Sequence, residues 1–180
     1  DLHTGSPFNG LDKLDEIVAL TQKARPDLVL LAGDFVIDGV KGGRFVAPRE
    51  IAARLGRLRA PLGTYAVLGN HDWWDERTVQ EKRAGPTRAG LALEAAGIPV
   101  YENKAVRLVK DGRAFWLAGL GDQWAFWPLE KDYKEFVRTG KKRYTGVDDL
   151  PATLAQVTDD APVILMAHEP DIFPDVPARV

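Results

Sequence analysis

At 180 residues the chain is long enough to bury a sizeable core, and its 45% apolar and 28% charged residues match a globular protein. A net charge of −2 argues against general electrostatic binding to nucleic acid, and the absence of cysteine removes disulfides and thiolate metal sites, leaving oxygen and imidazole nitrogen to hold any metal. No apolar run approaches the roughly 20 residues of a membrane helix, and no signal-peptide pattern is visible.

The chain begins at Asp1 without Met and ends at Val180 without a tail, so we expect one domain over residues 1–180 that is incomplete at both ends. Apolar residues at Leu11, Leu14, Ile17, Val18 and Leu20 predict a helix over 11–23, ended by Arg25-Pro26. Residues 27–32 form a continuous apolar run, as a strand buried on both faces requires. A second helix is expected over 48–58, with Pro48 in its first turn, then a buried strand over 65–68. A third helix over 87–96 stops at Gly97 and Pro99.

The pattern then turns to strands at 100–101, 105–109 and 114–118, with Asp111-Gly112 as a hairpin turn. A short helix at 150–157 and a buried strand at 163–167 close the series. The alternation predicts a layered α/β (α+β) fold whose later half supplies a second sheet. Lys141-Lys142-Arg143 reads as a solvated loop.

Chemistry concentrates where the strands end. Gly69-Asn70-His71-Asp72 follows the run Thr64-Tyr65-Ala66-Val67-Leu68, Gly33-Asp34 ends another run, and Ala167-His168 ends a third. The chain has three histidines, His3, His71 and His168, and each sits beside such a place. Ligands bind at that edge of open α/β sheets. Asp1, His3, Asp34, Asn70 and His168 offer hard or borderline ligands for two divalent cations, with Asp34 as the bridging carboxylate. Asp1 and His3, two apart on an extended backbone, would point to the same side and hold one metal; Asn70 and His168 would hold the other. The pair would activate a bridging water as hydroxide and polarise a phosphoryl oxygen. His71 follows a ligand directly and would point away from it on an extended backbone. It is therefore expected to protonate the leaving oxygen or clamp the phosphoryl group, with Asp38 or Asp72 orienting it.

These motifs resemble the calcineurin-like metallophosphoesterase family, whose pattern runs Asp-x-His, Gly-Asp, Gly-Asn-His-Asp/Glu, a lone His, then Gly-His-x-His. Asp1-Leu2-His3, Gly33-Asp34, Gly69-Asn70-His71-Asp72 and His168 occur in that order, and His168-Glu169-Pro170-Asp171 is similar to a bacterial branch. The resemblance implies a two-sheet β-sandwich flanked by helices and hydrolysis of a phosphomonoester or phosphodiester. It implies Asp1, His3 and Asp34 at one metal, Asp34, Asn70 and His168 at the other, and His71 as the acid. Mn²⁺ is the first expectation, with Zn²⁺, Fe or Mg²⁺ as alternatives. Gly-His-x-His is absent, for which truncation after His168 is the expected reason, and Asp38 stands four residues after Asp34 where many members have a spacing of three. The alternative is a metal- or phosphate-binding domain without turnover. The branch often carries an N-terminal membrane or export segment, so either the bacterial cytoplasm or the envelope is open. Asp122, after Gly119-Leu120-Gly121, reads as a turn residue. Trp73, Trp74, Trp124, Phe126 and Trp127 read either as core or as an apolar wall, with Trp74 contacting a lipid or aromatic leaving group.

Overall fold

The computed structural model of the chain describes residues 1–37, 39–140 and 144–180. Leu14 and Val18 mark the inner face of α1 (Leu11–Ala24), and Ile51, Ala52 and Leu55 that of α2 (Pro48–Leu55). β1 (Val29–Leu31) and β2 (Thr64–Ala66) pair in parallel, Leu31 opposite Ala66. A parallel pair needs a crossover, and α2 lies on it. After β2 come α3 (Asn70–Trp74), α4 (Arg77–Lys82) and α5 (Arg88–Ala95). Leu93 of α5 joins Leu14, Ile51, Val29, Ala66 and Leu68 in one core cluster, so the helices cover one face of this first sheet.

β3 (Lys104–Lys110) and β4 (Arg113–Gly119) form an antiparallel hairpin. Its turn, Asp111-Gly112, has φ of 50° and 75°, the positive pair that matches strand twist in a two-residue loop. The exposed helix α6 (Glu130–Thr139) follows, then α7 (Leu150–Leu154) and β5 (Val163–Met166), which pairs with β4 in parallel. Val67, Leu117 and Met166 bury against one another with Tyr65, Val106 and Leu108 around them, joining the two sheets face to face. The fold is thus a mixed α/β arrangement of two small sheets with helices outside, as the sequence led us to expect. No helix among the described residues is long and apolar enough to cross a membrane.

Several local expectations need correction. The strand at 100–101 shrinks to a single bridge between Val100 and Ala66, since Pro99 donates no hydrogen bond ahead of it. The helix over 48–58 ends at Leu55, and that over 150–157 ends at Leu154. Residues 70–72 are not extended: Asn70 opens α3, whose first turn is held by Asp72 Oδ2 accepting from Gly69 N at 3.0 Å. Lys141-Lys142-Arg143 lies outside the described residues.

Candidate metal centre

The parallel strands deliver their carboxyl ends to one place. β1 leads into Gly33-Asp34, β2 into Gly69-Asn70, and β5 into His168. The first residues run beside the loop after β1, with His3 N donating to Asp34 O at 2.8 Å and Thr4 N to Phe35 O at 3.1 Å. This register brings Asp1 and His3 to Asp34.

Asp34 Oδ2 lies at the centre. His3 Nε2 is 3.3 Å from it and His168 Nε2 3.5 Å, while His3 Nε2 also stands 3.5 Å from Asp1 Oδ1. The other carboxylate oxygen, Asp34 Oδ1, accepts from His71 N at 2.9 Å. His168 Nε2 is 3.2 Å from Asn70 Oδ1, and its Nδ1 is 2.7 Å from Ala32 O. Only a protonated Nδ1 can bond a carbonyl, so the second nitrogen is aimed inward at Asn70 and Asp34.

Two overlapping groups result, His3–Asp34–His71 and Asp1–Asp34–His168, each with one donor atom per residue and all those atoms within 4.8 Å of one another. Both groups share Asp34. Carboxylate oxygen, amide oxygen and imidazole nitrogen crowded this closely, with a carbonyl fixing one ring from behind, make a donor set that suits divalent metals.

The backbone gives way to allow the crowding. His3 and Asp34 have φ of 43° and 53°, left-handed values uncommon for residues with side chains. Gly33 has φ 98°, and a Cβ there would meet Gly69 N at 2.5 Å and His168 Nδ1 at 2.8 Å. At Gly69 a Cβ would stand 2.4 Å from Asp34 Oδ1. Glycine before Asp34 and before Asn70 is therefore a steric requirement of the site.

The charges interlock. Burial works to raise the Asp34 carboxyl, but its hydrogen bond to His168, the charge there and the His71 N–H hold it below the ordinary range. Burial works to lower His168, and Asp34 overcomes this, lifting the ring to about 9. His3 is lowered by burial, with His71 nearby adding to the effect against the pull of Asp34.

His71 packs its ring edge-on to His3 at a centroid distance of 5.0 Å and lies 5.4 Å from the Trp74 ring. The expected partnership with Asp72 is not formed. Asp72 Oδ1 accepts from Phe35 N at 2.9 Å and Val36 N at 3.3 Å, and Oδ2 from Gly69 N, so this buried carboxylate ties the two ligand loops together. Burial pushes it up to about 7. His71 Nδ1 is buried without a hydrogen-bond partner among the described residues, and Asp38, the other expected orienting group, lies outside them.

The sequence reads Asp122 as a turn residue, and the structure adds that it is buried. The residue follows β4, the parallel neighbour of β5, and is 1% exposed. Its Oδ2 accepts from Trp124 N at 3.1 Å while Oδ1 is buried without a partner, and burial followed by the charge of Glu169 pushes the carboxyl up to about 8. An Asp ending a predicted strand in the same direction as His168 was the available signal.

The chain belongs to the calcineurin-like phosphoesterase family, whose profile matches residues 1–176. It is 36% identical to phosphodiesterase YaeI of Escherichia coli over 125 residues, covering 69% of this chain and 42% of that protein. A zebrafish (Danio rerio) transmembrane protein with metallophosphoesterase domain is 28% identical over 174 residues, 94% of this chain and 33% of its own length. The chain thus spans a third to two fifths of these relatives. Among solved structures, NAD nucleotidase of Haemophilus influenzae superposes with a TM-score of 0.49 at 18% identity, over 92% of this chain and 33% of that one.

Proposed function

We propose that the chain carries the metal centre of a binuclear phosphoesterase, with a phosphodiester or phosphomonoester as substrate. Family membership supports a hydrolase of phosphoesters. The observation that carries the binuclear reading is Asp34 Oδ2 set between His3 and His168, the position of a bridging carboxylate. Asp1 and His3 would hold one metal, Asn70 and His168 the other.

Two divalent metals, when bound, supply Lewis acidity toward a phosphoryl oxygen and make water acidic enough to attack phosphorus. The chain's own groups do the rest. Ala32 O fixes the His168 ring so that its inner nitrogen stays unprotonated when a metal is present. Asn70, at the first position of α3, directs its amide oxygen inward and leaves its NH₂ to donate to the substrate phosphate. His71, with Nδ1 buried, presents Nε2 to deliver a proton to the departing oxygen.

The test compares leaving groups with Mn²⁺ present. Asp34→Asn should abolish hydrolysis of every ester. His71→Gln should cost about 10²–10⁴-fold on an alkyl ester, which needs a proton to leave, and far less on a nitrophenyl ester. Equal losses on both would contradict the acid role. Metal binding without any hydrolysis would favour a binding domain instead.

A further inference from the structure

Beyond His71 the wall of the site becomes aromatic. Trp74 stacks on Tyr144 at 5.5 Å between centroids, and Tyr144 on Trp124 at 4.8 Å, with interplanar angles of 26° and 18°. Trp127 meets Trp74 edge-on at 6.4 Å. Trp74 and Tyr144 line a cavity of about 470 Å³ together with the more exposed Trp127, Leu129 and Tyr133. These last three remain 58%, 44% and 54% exposed, although each is large and apolar, and Val137, one helical turn beyond Tyr133, is 68% exposed. The helix that carries Tyr133 and Val137 buries none of its residues.

An apolar track therefore runs outward from a residue in contact with His71. Two polar groups at or beside it are engaged: Trp74 Nε1 donates to Trp124 O at 2.7 Å, and Arg83 donates to Trp127 O while its guanidinium covers the Phe126 ring. Glu130 is the one charged side chain on the cavity wall among the described residues. A nucleobase could stack on such ring faces but also needs donors and acceptors set in the plane of its edges, and this wall is mostly ring face and aliphatic carbon, with Glu130 and the Tyr133 and Tyr144 hydroxyls as its few polar side-chain groups. An alkyl chain needs only the wall.

We propose that this cleft is the subsite for an aliphatic chain, making the substrate a lipid-like phosphoester whose phosphoryl group sits at Asp34 and whose chain lies along Trp74, Trp127 and Tyr133. The inference rests on the phosphoesterase reading above. Continuity of the cleft with His71 through Trp74 is what commits it to part of the same substrate.

The experiment measures dissociation constants of butyl, hexyl, octyl and decyl phosphate, below their micelle concentrations, for the Mn²⁺-loaded protein, with adenosine monophosphate for comparison. Affinity should rise about two- to fourfold per methylene. The dependence should flatten in Trp127→Ser and in Leu129→Ser, both at exposed positions whose loss leaves the core intact. A flat chain-length series in the unaltered protein, an unchanged slope in both variants, or tighter binding of adenosine monophosphate than of octyl phosphate overturns the cleft assignment while leaving the metal centre standing. Failure of butyl phosphate to bind at all, or binding that Asp34→Asn does not weaken, contradicts the phosphoesterase reading and takes this proposal with it.

Discussion

Asp34 is a buried carboxylate and Glu102 a partly buried one, and their fates are opposite. Asp34 is held in its charged form by two histidines and a backbone N–H. Glu102 has no such company: burial pushes it up to about 7, Glu94 adds to the rise, Lys104 opposes it, and Oε1 is buried without a partner. Its folded pKa exceeds the unfolded value, so the folded state binds the extra proton. The stability this contributes is complete below the unfolded carboxyl pKa and is lost as pH rises through about 7, on the order of 1–3 kcal/mol. Glu102→Gln should therefore show a smaller fall in urea midpoint between about pH 5 and pH 8 than the native chain. An equal fall in both would contradict the assignment. At this scale the sequence spoke clearly where chemistry leaves a residue little alternative. Gly33 and Gly69 precede Asp34 and Asn70 because a Cβ there would strike the facing loop, and His71 and His168 stand just after strands. It misled at Asp72, whose neighbour His71 suggested a partner. The chain reverses there, and only the folded loops show that Asp72 serves Phe35, Val36 and Gly69 instead.

Elements were legible in proportion to what they bury. The stripes of α1 and α2 and the hairpin turn at Asp111-Gly112 encode their own structure, because helical or strand period and core face coincide. α3 was invisible, since five residues carry too little period and the helix is held by Asp72 reaching the Gly69 N–H. α6 was missed although Tyr133, Phe136 and Val137 fall at helical spacing, because charged residues crowd between them and no apolar face enters the core. Local pairs such as Glu130–Lys134 at 2.6 Å and the Gly140 cap stand in for packing. Such pairs contribute only about 0.3–0.5 kcal/mol each. Amide hydrogens of α6 should accordingly exchange orders of magnitude faster than those of β4, whose Leu117 and Ala118 are fully buried, when followed by mass spectrometry. Comparable protection in both would show that α6 is anchored by more than these contacts.

Across the molecule, two sheets with parallel pairs deliver Asp34, Asn70 and His168 from the ends of β1, β2 and β5 to one edge, and the cluster of Val67, Leu117 and Met166 holds that edge in register. Strand ends could be read from apolar runs that stop at Gly-Asp, Gly-Asn and Ala-His. How the ends converge could not, because it depends on packing between sheets distant in sequence and on left-handed turns at His3 and Asp34. The aromatic wall stayed ambiguous for the same reason: Trp73 is 3% exposed core, while Trp127 is 58% exposed at the cleft. The central claim is that Asp34 bridges two metals. Metal analysis of the protein after Mn²⁺ loading and desalting, beside Asp34→Asn, tests it most directly. The account predicts close to two metals per chain in the native protein and their loss in the variant; one metal or none in the native protein, or an unchanged content in Asp34→Asn, would contradict it.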